Sequence, residues 1–284
     1  MTEIADESSR EGRTGDYPVR VFRREEAPED TRQELLREQT LQVFVNGVLT
    51  MRLVCTRSDL PELVMGRLLT EGLIREAEDV ASVTICRFGR NALVTLRENA
   101  GAAGREPESG TDSRKDSGEA EAVPVTPSCC TGNQILDASQ IREKALHPVQ
   151  EREIHRAWIF RLADAFAREQ PLYAATHSVH SCILSCSGEI LFSCEDIGRH
   201  NAMDKAIGYA MLHGISLPDC EVYTSGRIPV DMTEKAIRAG IPVLVSKALP
   251  TREAVDLAAS CGMMVIGQAR PDSFHLFCGG ENLV

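Results

Sequence analysis

Short runs of alternating apolar and polar residues dominate the chain from Leu41 onward, and they predict its elements in order. Residues 41–54 place Asn46-Gly47 between two apolar, β-branched runs, the strongest local signal for a hairpin closed by a type I′ turn. Asp59-Leu60-Pro61-Glu62 predicts a helix start, with a capping carboxylate, proline in the first turn and glutamate at the third position. Apolar Leu63, Val64, Leu68 and Leu69 follow, and Gly72 marks the stop. A second hairpin is expected over 83–96, turning through Gly89-Arg90-Asn91.

Beyond residue 150 the pattern changes to helices and strands in alternation. Helices are predicted over 158–168, 200–213, 229–239 and 252–260, and strands over 179–184, 189–194, 221–224, 241–246 and 263–267, with a last strand near Phe274. Such alternation favours a layered α/β domain with a largely parallel half-sheet. Two stretches lack it. Residues 1–38 are dense in charge and poor in large apolar side chains, which predicts a disordered tail. Residues 99–128 are rich in Gly, Ala, Glu, Ser, Lys and Asp and read as a flexible insertion. The division expected is a charged tail over 1–38, a small β-rich α+β subdomain over 39–98, a linker and cysteine loop over 99–133, and an α/β domain over 134–284.

Composition narrows the classes. The chain has 284 residues, 43% of them hydrophobic, enough for a core without covalent staples. It contains no apolar run long enough to span a bilayer, and its first twenty residues have neither a basic start nor an apolar stretch, so a cytoplasmic protein without membrane association is expected. Lys+Arg 31 against Asp+Glu 42 gives a net charge of -11, which argues against nucleic acid as a partner while leaving room for a local basic pocket. The ten cysteines never form C-x-x-C, so a zinc ribbon is excluded; Cys55, Cys86, Cys220 and Cys261 read as small buried hydrophobes.

In an open α/β sheet, ligands bind outside the carboxyl ends of the strands. Those ends are polar here. The first is followed by E-D-I-G-R-H-N-A-M-D-K over 195–205, another by Ser225-Gly226-Arg227, and another by Ser246-Lys247, with Thr251 capping the next helix. Glycine before a helix lets backbone N–H groups approach an anion, and Arg or Lys adds countercharge, which suits a phosphorylated or nucleotide ligand. A solvated turn and ordinary helix capping are the alternative readings of the same residues. His200 and Asp204 stand four apart, a spacing that either orients the imidazole or simply supports the helix. His177, His180 and Cys182 are close enough to suggest zinc, yet the Glu and the P-C-x-x-C of a zinc deaminase are missing, so no metal is expected there. Cys129 and Cys130 close the polar stretch and precede Thr131-Gly132-Asn133; they read as accessible sulfurs able to carry a persulfide, or else as a labile vicinal pair or loop anchor.

Together these motifs resemble the FdhD family of sulfur carrier proteins required for formate dehydrogenase activity. The resemblance spans about 41–277 without the polar insertion. It rests on Cys55-Thr56, Ser58-Asp59-Leu60, Gly66, Glu71-Gly72, Ser128-Cys129, residues 176–180, the string over 195–205, Ser225-Gly226-Arg227 and residues 239–246. It implies a cytidine deaminase-like α/β fold, a homodimer, and a sulfurtransferase that accepts sulfur from a cysteine desulfurase as a persulfide. The sulfur passes to the molybdenum bis(molybdopterin guanine dinucleotide) cofactor, bound as substrate, before insertion into formate dehydrogenase. The position of the family's persulfide-bearing cysteine matches Cys129. Its guanine-nucleotide segment corresponds to Gln268, Ala269, Arg270, Pro271, Asp272 and Ser273, with His180, Arg199, His200, Ser225 and Arg227 as further contacts to the anionic cofactor. The sequence departs from the family pattern where C-G-x-C-G is replaced by Cys129-Cys130-Thr131-Gly132-Asn133, and at Asp272 and Ser273, where a glycine and a basic residue are usual. The competing readings are a non-catalytic escort for the cofactor and a zinc hydrolase on a deaminase-like scaffold.

Overall fold

The computed structural model describes residues 2–7, 12–97, 133–137, 145–168 and 170–284. Its first half contains β1 (Glu3–Asp6), a ribbon of β2 (Thr14–Val21) and β3 (Glu29–Leu36), the hairpin β4 (Gln39–Val45) and β5 (Val48–Cys55), and helix α1 (Leu60–Thr70). Strands β6 (Val80–Ile85), β7 (Asn91–Leu96) and β8 (Gln134–Ile135) complete a sheet of order β1-β6-β7-β4-β5-β8. The turn at Asn46 (φ 50) and Gly47 (φ 83) has the two left-handed residues that a type I′ closure requires. Leu41, Val43 and Val45 alternate into the core, as the period-two pattern demands.

Two expectations for this half are corrected. Residues 1–38, read as a disordered tail, carry three strands. Composition missed them because β2 and β3 satisfy each other's backbone across an eight-residue register and bury little, while Arg20 holds Asp30 at 2.7 Å and Arg23 holds Glu29 at 2.8 Å. β1 gains its partner from the edge of β6, in parallel. Asp59, read as a capping carboxylate, lies in the left-handed region (φ 51, ψ 45), where its side chain makes no capping bond; an N-cap needs extended backbone.

The second half runs α2 (Arg156–Arg168), α3 (Pro171–Thr176), β9 (His180–Cys186), β10 (Glu189–Asp196), α4 (Arg199–Leu212), β11 (Cys220–Thr224), α5 (Val230–Arg238), β12 (Val243–Ser246), α6 (Arg252–Ser260), β13 (Met264–Gly267) and β14 (His275–Cys278). The sheet order is β10-β9-β11-β12-β13-β14, with β11, β12 and β13 parallel to one another. This is the alternating pattern predicted, plus the short α3. The sheet is apolar on both faces, and neighbouring residues divide between two cores. Cys182, Leu184, Val222, Leu244 and Val265 face the large core, while Ile183, Tyr223, Val243, Val245 and Ile266 face a smaller one beneath α2. Helices α1 and α4 lie against each other between the two sheets. A methyl group on Gly66 would sit 1.8 Å from the Asp204 carbonyl oxygen, and one on Gly208 would sit 1.8 Å from that of Glu62. The two backbones therefore touch, which fixes one sheet relative to the other.

Candidate functional site at the strand ends

Because β11, β12 and β13 run in parallel, Ser225, Lys247 and Gln268 emerge together at one edge of the sheet. Antiparallel β9 starts there with His180, and β10 ends there before Ile197. Between this edge and α2 and α3 lies a cavity of about 1220 Å³. Phe166 and Tyr223 form its apolar wall, with ring centroids 4.6 Å apart, and Lys247 Nζ stands 5.9 Å from the Phe166 ring centre. The Tyr223 hydroxyl donates to the Ala269 carbonyl at 2.8 Å, and burial pushes its pKa up to about 12. Arg270 donates to the carbonyls of Lys247 at 2.6 Å and Ala269 at 3.0 Å, tying one strand-end loop to the next. Gln268 lies in the left-handed region (φ 48), and its N–H donates to the Ala248 carbonyl at 3.0 Å. The cavity thus has an aromatic wall and a cationic rim, features that suit a flat base carrying phosphate.

His180 Nδ1 lies 3.1 Å from Ser225 Oγ, which also accepts the Ser181 N–H at 3.0 Å. Burial, then the nearby Arg199 and His200, lower the His180 pKa and favour the neutral ring. His180 and Ile197 also border a second hollow of about 300 Å³, lined by Val54, Gly198, Arg199 and His200. There His200 Nε2 lies 2.8 Å from Asp231 Oδ2. Gly226 leaves room for the stem of Arg199, since a methyl group there would lie 2.9 Å from Cδ. That packing accounts for the glycine of Ser225-Gly226-Arg227.

Several side chains behave differently from their sequence readings. His200 does not meet Asp204; it pairs with Asp231 of α5, while Asp204 bonds Lys235 and Thr70, each at 2.8 Å. The Gly198 N–H, expected to face an external anion, donates to Asp196 Oδ1 at 3.0 Å. Thr251 does cap α6, accepting from Ala254 N. His177, which ends α3 in the left-handed region, and His180 both border the large cavity, whereas Cys182 is fully buried. Among the described residues no cluster of three His, Cys, Asp or Glu side chains converges as a metal site.

Of the sequence-predicted contacts, His180, Ser225, Gln268, Ala269, Arg270 and Pro271 line the large cavity, and Arg199 and His200 line the smaller one. Arg227, Asp272 and Ser273 line neither; Ser273 Oγ donates to Asp272 at 3.1 Å. Cys129 and Cys130 lie outside the described residues. Asn133, just past them, is buried. Its Oδ1 accepts from Val54 N and its Nδ2 donates to Asn201 Oδ1, both at 2.7 Å. Asn201 in turn donates to the Val54 carbonyl at 2.7 Å and to Asp196 Oδ1 at 2.8 Å, and Asp196 Oδ2 pairs with Lys205 at 2.7 Å. Sequence reading missed this network and the Asp231 partnership. The only signal was the density of polar residues over 195–205, which does not say which of them turn inward.

A match to the FdhD/NarQ family model runs over residues 36–284. The chain belongs to the FdhD/NarQ family. Among its relatives are the sulfur carrier protein FdhD of Geobacillus kaustophilus, 31% identical over 88% of this chain and 90% of the relative, and that of Anaeromyxobacter dehalogenans, 30% identical over 87% of each. A solved structure from Desulfotalea psychrophila, classed by inference as a formate dehydrogenase accessory protein, superposes with a TM-score of 0.73 at 23% identity, covering 95% of this chain and 99% of that one. The shared fold is mixed α/β with more than one sheet. Among the described residues no helix is long and apolar enough to cross a membrane.

Proposed function

We propose that this FdhD/NarQ protein is a sulfur carrier that takes sulfur from a cysteine desulfurase as a persulfide on Cys129. It then delivers that sulfur to the molybdenum bis(molybdopterin guanine dinucleotide) cofactor destined for formate dehydrogenase. In the loading step the Cys129 thiolate attacks the outer sulfur of the donor's persulfide, the donor's S–S bond breaks and its cysteine leaves as a thiolate, so no external oxidant is needed. The reading places the protein in the cytoplasm as a homodimer on a layered scaffold similar to the cytidine deaminases.

The observation that carries the reading is the convergence of Lys247, Arg270 and the Phe166–Tyr223 wall at the strand ends, a pocket suited to one nucleotide end of the cofactor. The chain itself limits the carrier's reach. Asn133 follows Cys129 by four positions, so the two Cα atoms lie within about 14 Å. Asn133 is tied to Val54, which borders the smaller hollow next to the cavity. Incubation with a cysteine desulfurase and cysteine, followed by peptide mass spectrometry, should find added sulfur on Cys129 and none after Cys129→Ala. Sulfur-free Cys129 peptide from a loaded reaction would reject the role.

The vicinal Cys129-Cys130 in place of C-x-x-C favours one second reading, a non-catalytic escort of the cofactor. It predicts that Cys129→Ala still supports formate dehydrogenase activity while Lys247→Gln/Arg270→Gln does not.

A further inference from the structure

A third cavity, about 600 Å³, lies against the first sheet, lined in part by Arg37, Gln39, Arg57, Arg90 and Asn91. Its three arginines come from separate places: Arg37 follows β3, Arg57 follows β5, and Arg90 sits in the turn before β7. Their convergence in a chain of net charge -11 is notable because carboxylates are abundant, yet among the described residues none of the three is ion-paired with one. Arg57 Nη2 donates to the Arg87 carbonyl at 2.9 Å, but its Nε is buried without a hydrogen-bond partner. An unsatisfied buried donor costs free energy, and like charges gathered at one hollow add repulsion. A bound anion would relieve the repulsion among the three guanidinium groups.

We propose that this cleft is a binding site for a phosphate-bearing anion of the pyrophosphate class. Guanidinium forks match phosphate oxygens two at a time, and three of them around one hollow exceed what a single carboxylate can satisfy. Among the described residues the only carboxylate lining the cleft is Glu38, which also borders the smaller hollow beside Arg199 and His200. The cleft therefore adjoins the strand-end site without sharing its cationic residues, and the proposal stands independently of sulfur transfer.

The test is calorimetric titration of inorganic pyrophosphate into the full-length chain carrying Lys247→Gln and Arg270→Gln, so that the strand-end cavity does not contribute. One saturating site is expected. Adding Arg37→Gln and Arg90→Gln, both at exposed positions, should weaken it by about tenfold or more per arginine removed. Arg57→Lys, which keeps the charge and loses the fork, should weaken it also. Absence of saturable binding in the first variant would overturn the proposal, as would equal affinity after the arginines are removed.

Discussion

His200 and Asp231 are 31 residues apart in sequence and 2.8 Å apart in space, and the imidazole is buried while the carboxylate is 44% exposed. Burial works to raise the Asp231 pKa; the hydrogen bond and charge of His200, with Arg199, outweigh it and hold the carboxyl below its usual range. A carboxyl with a lowered folded-state pKa stabilises the fold above its unfolded value and loses that contribution as pH falls through the folded value. Asp231→Asn should cost about 1 kcal/mol or less at neutral pH, the exposure reducing the effect. The gap between the two proteins in urea melts should close below about pH 4. A gap that persists in acid would mean that the carboxylate's charge contributes nothing.

Asp196 and Lys205 are both fully buried and paired at 2.7 Å. Desolvation pushes the lysine pKa down, but Asp196 and Asp59 more than offset it, and the net shift is upward. The stabilisation is therefore complete below the unfolded lysine pKa and fades as pH rises through the higher folded value. Lys205→Met strands a buried carboxylate and should cost about 3–5 kcal/mol in a denaturant melt. A loss under about 1 kcal/mol would show that Asp196 is satisfied by Thr56, Gly198 and Asn201 alone.

Much of this architecture was legible because its signals are local. Asn46-Gly47 names its own turn, and the runs ending at Thr224, Ser246 and Gly267 name parallel strands whose ends gather polar residues. The ribbon β2–β3 was not legible, since its stability comes from pairing and exposed ion pairs rather than from an apolar face. The same limit applies within the site. Spacing put Asp204 beside His200, but Asp204 faces Arg67, Thr70 and Lys235 across the helix contact, and Asp231 arrives from another element. Inward or outward direction of a polar residue on α4 is decided by tertiary packing, which a helical period alone does not encode.

The α1–α4 crossing depends on two missing side chains. Gly66→Ala would drive a methyl group into the Asp204 carbonyl, and backbone atoms cannot swing aside. Either Gly66→Ala or Gly208→Ala should destabilise by about 1–3 kcal/mol or more, measured by thermal melting. Because both substitutions push the same pair of helices apart, the double variant should cost less than the sum. Full additivity would show that the helices relax independently at the two contacts.

Asn201 holds Asn133, Val54 and Asp196 at once, so it anchors the chain four positions after Cys129. Asn201→Ala leaves the Val54 carbonyl and the Asn133 amide short of partners and should cost about 1–3 kcal/mol. At a temperature where the variant remains folded, loading of Cys129 by a desulfurase should proceed while delivery slows, because Asn133, four positions after the proposed carrier, has lost its anchor. Equal slowing of both steps would show a general loss of structure instead.

Five cysteines of the described fold are poor rivals to Cys129 as the proposed carrier, and Cys86 stands apart from them. Burial raises the thiol pKa values of Cys55, Cys182, Cys194 and Cys278, and that of Cys220 to about 12, so these remain protonated at neutral pH. Cys86, expected in the core, is partly exposed. Its modest burial works against ionisation, but backbone N–H groups led by Asn91, 3.2 Å from Sγ, lower its pKa. Iodoacetamide at neutral pH should therefore modify Cys86 in the native protein and reach Cys55, Cys182 and Cys194 only after unfolding. The same chemistry makes Cys86 a site of adventitious persulfide, so added mass on the intact chain is not diagnostic. Cys86→Ser should leave formate dehydrogenase activation unchanged and Cys129→Ala should abolish it; the reverse pattern would transfer the carrier role to the β6–β7 turn.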